Sequence, residues 1–296
     1  MAIETDFPEL RASSDRNGPT PSRKGPRLYL IAIYAILIVA AFISLIPFLY
    51  VISTSFKDSV SLFQYPPQWI PLEPTLDNFR TLLQDNPFIR WMINSFIVAA
   101  SVTVIKVIID SMAGYAFAKM QFPGKEPRFV VVLMTLMVPF AATLIPLFII
   151  VRDLQLTNTY AGLILPALAS PIGIFMMRQF IESLPNDLEN AARLDGCSEF
   201  QIFRRVILPL VRPGLVVLGV FTFMTQWTSY LWPLVIGTKK EMYTLTVGVQ
   251  SLRSLFTVNW GVLSAGAVLS MLPLVLVFLF LQRYFIAGSI AGALKE

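Results

Sequence analysis

The sequence predicts an all-α integral membrane protein with six transmembrane helices. Of its 296 residues, 55% are hydrophobic and only 14% are charged, whereas a soluble domain usually carries about 25% charged residues. The apolar residues also form long runs, close to the roughly 20 residues that a helix needs to cross the hydrocarbon core. Nothing in the sequence indicates a separate soluble domain or a short internal repeat.

The composition argues against several classes of function. The chain has no histidine, so it lacks the usual acid–base group at neutral pH and the commonest metal ligand. A single cysteine, Cys197, excludes an internal disulfide and a cysteine-based zinc cluster. The short basic clusters lie between apolar runs and form no basic face interleaved with aromatic residues, so nucleic-acid binding is not expected.

The predicted segments follow one another simply along the chain. Residues 1–27 are polar and are expected to be a disordered cytoplasmic tail. Residues 28–55 form the first transmembrane helix, and 56–90 form an external loop that lies along the membrane surface. The main transmembrane domain extends over 91–285, and 286–296 form a second cytoplasmic tail. The six spans are expected at 28–55, 91–118, 129–150, 160–177, 214–236 and 262–280.

The distribution of basic residues predicts the orientation of these spans. With the first tail inside, the cytoplasmic segments carry roughly twice as many Lys and Arg residues as the external segments, as the positive-inside rule requires. Both termini are therefore expected in the cytoplasm. The fourth span is interrupted by Pro166 and Pro171, which membrane helices tolerate where neighbours satisfy the freed carbonyl groups.

The charged cytoplasmic connection between spans four and five is the most informative part of the chain. We call residues 183–209 the elbow. Asn186 and Glu189 have the spacing of a capping box and predict a first short helix. Gly196 offers a left-handed position that ends it. Ser198 and Gln201 repeat the capping pattern for a second short helix, and Pro209 is expected to stop that helix.

The elbow resembles the coupling motif of bacterial ABC-importer permeases, in which Glu-Ala-Ala is followed by three residues, Gly, nine residues and Ile-x-Leu-Pro. Here Asn190-Ala191-Ala192 precedes Gly196, and Val206-Ile207-Leu208-Pro209 follows it. Asn190 thus stands where the pattern has Glu, and the neighbouring Glu189 offers an acid one position earlier. Further similarities include Asn94-Ser95-Phe96, Ala113-Gly114-Tyr115-Ala116 and Tyr243-Thr244-Leu245. From about residue 30, the chain is similar to the smaller six-span permease of maltose-type carbohydrate importers.

This resemblance implies a type I importer permease in a bacterial or archaeal plasma membrane that moves a sugar, expected to be an oligosaccharide, into the cell. The implied partners are a larger permease, two copies of a cytoplasmic P-loop ATPase and an external solute-binding protein. The elbow would dock on the ATPase through a set of coupling residues, which are Glu189, Asn190, Ala191, Ala192, Asp195, Gly196 and Pro209. The chain has no P-loop motif of its own, so it cannot be the ATPase. The resemblance implies that ATP and Mg²⁺ bind the partner subunits, and this chain is expected to bind no cofactor and no metal.

Two groups of residues are candidates for the solute path. Lys106 and Asp110 lie four residues apart within the second span, either as a neutralised pair facing the bundle or as part of the path. Gln226, Trp227 and Tyr230 in the fifth span combine aromatic faces with polar groups, which suits sugar rings. The alternative for these aromatic residues is a belt at the outer membrane interface, and for Trp232 the belt is the preferred interpretation.

Other cargoes and other functions fit the sequence less well than a sugar importer does. A polyol or a glycerophosphate compound is the alternative cargo. A secondary transporter usually shows inverted repeats and more charge within the membrane. An intramembrane protease or esterase would need motifs such as H-E-x-x-H or G-x-S-x-G, which the sequence lacks.

Overall fold

A computed structural model describes residues 27–58, 62, 64–66, 68–169, 171–253 and 258–293. The regular elements in these ranges are all helices. The expected tail at 1–27 lies outside the described residues except for Arg27, where the first helix begins. The chain divides into two compact units, residues 1–48 and 49–296.

Helix α1 (Arg27–Ser55) begins in the first unit and ends in the second. Its segment Tyr29–Ser55 has a mean hydropathy of 2.8, enough for a membrane span by length and composition. Within the second unit, helix α2 (Asp77–Asp85) gives the predicted external loop a helical segment. The Asn78 side chain on α2 donates hydrogen bonds to the carbonyls of Ser55 at 3.0 Å and Lys57 at 2.7 Å, which satisfies groups left open at the helix end.

Helix α3 (Phe88–Lys119) contains the predicted second span and forms the centre of the second unit. It packs against the later helices α7 (Pro171–Glu182) and α11 (Arg212–Trp227). The contact with α7 is close at Gly114, where an added Cβ would lie 2.7 Å from the Met177 Cβ and 2.9 Å from the Arg178 nitrogen. A glycine is therefore needed at this helix crossing.

The predicted third and fourth spans are bent. Helices α4 (Lys125–Met134) and α5 (Phe140–Asp153) meet at 96°. Pro139, whose ring removes a backbone donor, lies at this break. Helix α6 (Tyr160–Ile164) is followed by a short 3₁₀ turn and then by α7, with a bend of 47°. Thr159 caps α6 by accepting a hydrogen bond of 3.1 Å from the Gly162 nitrogen.

The elbow contains three short helices that lead into the next span. They are α8 (Asp187–Leu194), α9 (Glu199–Ile202) and α10 (Leu208–Leu210), with a π-helical stretch at Phe203–Ile207 between the last two. Helix α11 then begins at Arg212, at 81° to the helical segment before it.

The predicted fifth span at 214–236 is wrong as one continuous helix. Helix α11 ends at Trp227, and α12 (Leu231–Ile236) is a separate short helix. Pro233 has no N–H for the carbonyl of Ser229, four residues earlier. That carbonyl instead accepts a hydrogen bond from the Thr246 hydroxyl at 2.5 Å.

After a 3₁₀ turn at Lys240–Met242, the described residues form two further α-helices, α13 (Leu245–Ser251) and α14 (Trp260–Ala293). Helix α14 continues into the predicted tail at 286–296 as far as Ala293, and residues 294–296 lie outside the described part of the chain. Within the described residues, three helices are long and apolar enough to cross a membrane, and up to six spans result if each bent pair forms one.

Candidate functional site

The first elbow helix begins differently from the prediction. Asn186 makes no side-chain cap for α8 and has helical backbone angles. Its Oδ1 instead accepts a hydrogen bond of 2.6 Å from the Lys119 ammonium group at the end of α3. The predicted capping box at Asn186 and Glu189 is therefore wrong, because the Lys119 ammonium group of α3 binds both side chains.

The turn at Gly196 separates α8 from α9, which we call the first and second arms of the elbow. The turn has the predicted conformation and the predicted cap. Gly196 has a φ angle of +79°, in the left-handed region that favours glycine. The Ser198 hydroxyl accepts from the Gln201 nitrogen, and the Gln201 side chain accepts from the Ser198 nitrogen at 2.8 Å. Both halves of this capping box are present, so the second arm has a fixed start.

The expected stop at Pro209 is wrong. Pro209 lies inside α10, and the helical path continues to Leu210 before it turns at Val211. The π-helical stretch Phe203–Ile207 precedes the proline, and its wider turn changes the carbonyl groups that the proline ring would otherwise approach.

The predicted coupling residues divide between two faces of the elbow. Asn190, Ala191, Asp195, Gly196 and Pro209 are exposed, whereas Glu189 and Ala192 are buried at 2% and 8% exposure. Glu189 therefore binds within the chain and does not supply an acid to the outer surface. The exposed face also carries three large apolar side chains, which are Leu188, Leu194 and Phe200.

The inner face of the elbow closes a ring of five polar side chains, Tyr115, Lys119, Glu189, Arg193 and Glu199, which we call the polar ring. Lys119 lies 3.4 Å from a Glu189 oxygen, and Arg193 lies 3.5 Å from the other oxygen of this carboxylate. Arg193 Nε also donates to Glu199 Oε1 at 2.9 Å. The Tyr115 hydroxyl donates to Glu199 Oε2 at 2.7 Å, which closes the ring on α3.

The polar ring affects two ionisation equilibria. The hydrogen bond from Arg193, followed by that from Tyr115, lowers the pKa of Glu199 below its usual value. The hydrogen bond to Glu199 in turn raises the pKa of Arg193. Both groups are thus charged across the physiological pH range. Sequence reasoning missed Tyr115, Lys119 and Glu199 as members of one site, although the first two lie four residues apart at the end of the predicted second span.

A second candidate site is a cavity of about 780 Å³ where α11 and α12 meet the breaks in the third and fourth spans, which we call the cleft. Its polar groups are all uncharged and come from Thr135, Thr143, Thr225, Gln226, Ser229 and Tyr230. Aromatic faces are provided by Phe140 and Trp232, whose rings meet edge to face at 6.3 Å.

The structure brings together only part of the predicted solute-path set. Gln226 and Tyr230 line the cleft. Trp227 points elsewhere: it is 3% exposed, and its Nε1 donates to the Ser270 carbonyl of α14 at 3.1 Å. Trp232 is also buried, at 6% exposure, and donates to the Gly162 carbonyl at 3.0 Å, so its assignment to an interfacial belt is wrong.

Lys106 and Asp110 form a buried ion pair away from the cleft lining. Their charged atoms lie 2.8 Å apart, with side chains 4% and 1% exposed. An added Cβ on Gly173 of α7 would contact the Asp110 carboxylate, so the pair lies between packed helices. This arrangement matches the interpretation as a neutralised pair facing the bundle.

Comparisons with known proteins agree with this architecture. The family model described as "Binding-protein-dependent transport system inner membrane component" matches residues 110–288. The arabinooligosaccharides transport system permease protein AraQ of Halalkalibacterium halodurans is 39% identical over 86% of this chain and 92% of its own. The lactose transport system permease protein LacG of Rhizobium radiobacter is 36% identical over 91% of this chain and 97% of its own.

A solved structure gives the same result for the fold. A chain from the crystal structure of a bacterial ABC transporter involved in the import of the acidic polysaccharide alginate aligns with a TM-score of 0.79. The alignment covers 90% of this chain and 100% of that chain at 25% identity. The fold is thus shared with a chain from a transporter of known structure.

Proposed function

Because the chain belongs to the family of binding-protein-dependent transport system inner membrane components, we propose that it is the permease subunit of an ATP-driven sugar importer. It pairs with a larger permease and rests on two copies of a cytoplasmic ATPase, and an external solute-binding protein delivers the cargo. Both termini then lie in the cytoplasm.

The exposed face of the elbow is the observation that carries this proposal. Leu194 is 90% exposed and Phe200 is 60% exposed, next to the outward-facing Asn190 and Ala191. Large apolar side chains at such exposure on a segment fixed to the rest of the chain are typical of a protein interaction site. The occupant is the ATPase, which would bury these side chains in a groove on its surface.

Nucleotide chemistry belongs to the partner in this proposal. The sequence contains no G-x-x-x-x-G-K-[ST] loop to hold the phosphates. ATP and Mg²⁺ therefore bind the ATPase subunits, and this chain hydrolyses nothing itself. Its contribution is to convert the closure of the ATPase dimer into movement of its helices.

The cleft supports a neutral sugar as the cargo. The cleft lining among the described residues offers hydroxyl and amide groups with aromatic faces, and no charged side chain. Hydroxyl-rich rings match such a site, since their edges hydrogen-bond and their faces pack on aromatic rings. A glycerophosphate compound, the alternative cargo, would bring an anionic group for which this lining offers no cation.

The test is affinity purification of the full chain from the membrane of its own cell, with ATPase activity measured in the eluate. The matched variants are Leu194→Glu in the elbow and Leu72→Glu in the external loop, where the leucine is 83% exposed. Burial of a leucine is worth about 1.5–3 kcal/mol, and each ~1.4 kcal/mol changes affinity tenfold. We expect Leu194→Glu to reduce the associated ATPase activity at least tenfold and Leu72→Glu to leave it unchanged.

Equal amounts of each variant in the membrane establish that insertion is intact. The proposal is wrong if no ATPase accompanies the unmodified chain. Equal losses for the two variants would also contradict it, because the elbow would then have no special part in docking.

A further inference from the structure

The polar ring joins both arms of the elbow to one turn of α3, and we propose that Tyr115 and Lys119 are positioning residues that make the elbow and the end of α3 move as one body. This inference rests on the proposed coupling of the elbow to an ATPase. It adds that the movement enters the membrane through α3, which lies far from the elbow in the sequence.

The two α3 residues hold different arms of the elbow. Lys119 donates to the Leu184 carbonyl and to Asn186 Oδ1, each at 2.6 Å, and so fixes the start of α8. Tyr115 holds Glu199 at the first residue of α9. Residues four apart lie on the same face of a helix. One face of α3 therefore holds the elbow on both sides of its glycine turn.

Burial strengthens the attachment made by Lys119. The Lys119 and Glu189 side chains are 5% and 3% exposed, so water and salt screen their attraction little. Removing one partner of a buried pair leaves an uncompensated charge, which is a much larger loss than the loss of a surface pair. An attachment of this kind resists being pulled apart when the elbow moves.

Apolar packing strengthens the same attachment of the elbow to α3. The rings of Tyr115 and Phe203 lie 5.4 Å apart between centroids. Ile202 and Ile207, both fully buried, belong to the same cluster as Tyr115 and Met177. The cluster thus includes residues of the elbow, of α3 and of α7, so the elbow packs directly against both helices.

The path into the membrane continues along α3. Gly114, next to Tyr115, lies directly against Met177 of α7. Farther along the helix, Gly219 of α11 approaches Thr103 and Val107 of α3. A displacement of the α3 end therefore reaches both neighbouring helices through close contacts, since packed helices transmit shifts and do not absorb them.

The attachment of the elbow to α3 could stabilise the elbow or transmit its movement, and substitutions distinguish these two roles. Loss of a stabilising attachment reduces the amount of folded protein or of bound ATPase. Loss of a transmitting attachment leaves the assembled complex in place but lowers the number of solute molecules moved per ATP hydrolysed. This ratio is the readout that separates the two roles.

The first experiment compares Tyr115→Phe with Tyr160→Phe in the complete transporter, purified from its own membrane and reconstituted in proteoliposomes. The Tyr160 hydroxyl also donates a 2.7 Å hydrogen bond, to Asn94 Oδ1, so the two substitutions remove bonds of equal length. We expect Tyr115→Phe to keep its ATPase and its ATP hydrolysis but to lower solute uptake per ATP at least fivefold. Tyr160→Phe should keep the normal ratio.

A double substitution tests whether the hydrogen bond itself is responsible. If Tyr115 acts through Glu199, Tyr115→Phe with Glu199→Gln should lower the ratio no further than the more severe single substitution. Independent, multiplying losses would contradict the proposal.

A cross-link between positions 119 and 189 tests whether fixing the elbow to α3 restores coupling. Lys119 and Glu189 are largely buried, but both line an open cavity of about 510 Å³, which offers a thiol reagent a route to cysteines at these positions. Lys119→Cys with Glu189→Cys, in a Cys197→Ser background, should uncouple uptake from hydrolysis, and a short bis-thiosulfonate linker between the two cysteines should restore coupling. A linker that forms and leaves the transporter uncoupled would overturn the inference, because a fixed elbow would then not be sufficient.

These outcomes are distinguishable from a failure of the proposed function. If the unmodified chain brings no ATPase with it, the proposed function fails. If the unmodified chain couples normally and Tyr115→Phe does the same, only the transmitting role of α3 fails.

Discussion

The Lys119 ammonium group lies 2.6 Å from Asn186 Oδ1, although 67 residues separate them in the chain. Because the Asn186 side chain accepts this hydrogen bond from α3, it does not cap α8. The start of the elbow is thereby determined by a long-range bond and not by a local cap. The same cation lies 3.4 Å from Glu189, so one lysine fixes both side chains of the predicted capping box.

The left-handed turn of the elbow should depend on glycine. A Cβ at Gly196 would have no atom within 4 Å, so Gly196→Ala causes no clash and its effect is confined to the backbone at φ +79°. We expect a loss of about 1–2 kcal/mol, the usual cost of a left-handed conformation for a residue with a Cβ. Thermal unfolding of the purified chain measures it.

Gly219→Ala is the matched control for this substitution. Its Cβ would lie 3.7 Å from Val107 and 3.8 Å from Thr103 of the neighbouring helix α3, which is ordinary van der Waals contact. Alanine favours helices over glycine by roughly 0.5–1 kcal/mol, so this variant should be at least as stable as the unmodified chain. Equal losses at both positions would contradict the assigned role of the turn.

The buried ion pair should be intolerant of single substitutions and tolerant of a double one. Lys106→Met leaves the Asp110 carboxylate buried without this cation, and such losses cost about 3–5 kcal/mol. Lys106→Met with Asp110→Leu should recover most of this loss, since apolar replacement of a whole buried pair is often neutral. The amount of monodisperse protein after a heating series measures both.

An exposed pair provides the comparison. Arg80 and Asp77 lie 3.4 Å apart with side chains 70% and 74% exposed. Arg80→Met should change stability by no more than about 1 kcal/mol. If Lys106→Met were equally mild, the pair would be hydrated and not part of a packed interface.

The polar ring should weaken in acid. Hydrogen bonds from Arg193 and Tyr115 hold the pKa of Glu199 below its unfolded value, which is about 4.3 for glutamate. Its contribution to stability is therefore complete above pH ~4.3 and is lost as the pH falls through the lower folded pKa. The difference in unfolding temperature between the unmodified chain and Glu199→Gln should be constant from neutral pH to about pH 5 and shrink below it. A difference that grows in acid would mean that the carboxylate is not held as a charged acceptor.

Substitutions in the cleft and at the neighbouring Trp227 should change different properties, solute affinity and stability respectively. Gln226→Ala removes a lining amide, and a lost hydrogen bond of about 1 kcal/mol corresponds to a roughly fivefold higher solute concentration for half-maximal uptake. Trp227→Phe removes the bond to the Ser270 carbonyl and part of a packed ring, so it should lower stability by about 1–3 kcal/mol and leave that concentration unchanged. Uptake kinetics and thermal unfolding of both variants decide the assignment.

Local chemistry explains which parts of the elbow were predictable. Gly196 and the Ser198–Gln201 capping box depend on neighbours within three residues, and both were predicted. The environment of Asn186 depends on Lys119, which no local pattern relates to it. The family motif located the elbow in the sequence, but it does not indicate that Glu189 turns inward to a cation on α3.

The same distinction applies within the membrane. Apolar runs predicted the long helices α1, α3 and α14. The break between Trp227 and Leu231 was missed because the apolar residues on both sides of Thr228 and Ser229 were assigned to one span. Once the chain turns there, Trp232 faces the Gly162 carbonyl, which periodicity in a single straight helix could not predict.

The separation of the ring members along the chain also determines when the elbow can assemble during synthesis. Tyr115 precedes Glu199 by 84 residues, and Lys119 precedes Leu184 by 65. Helices α4 to α7 are translated in between. The ribosome thus releases the receiving face of α3 first, and the elbow can contact it only after two further bent helical segments have left the exit tunnel. Its attachment to α3 therefore requires that these intervening helices have already been synthesised.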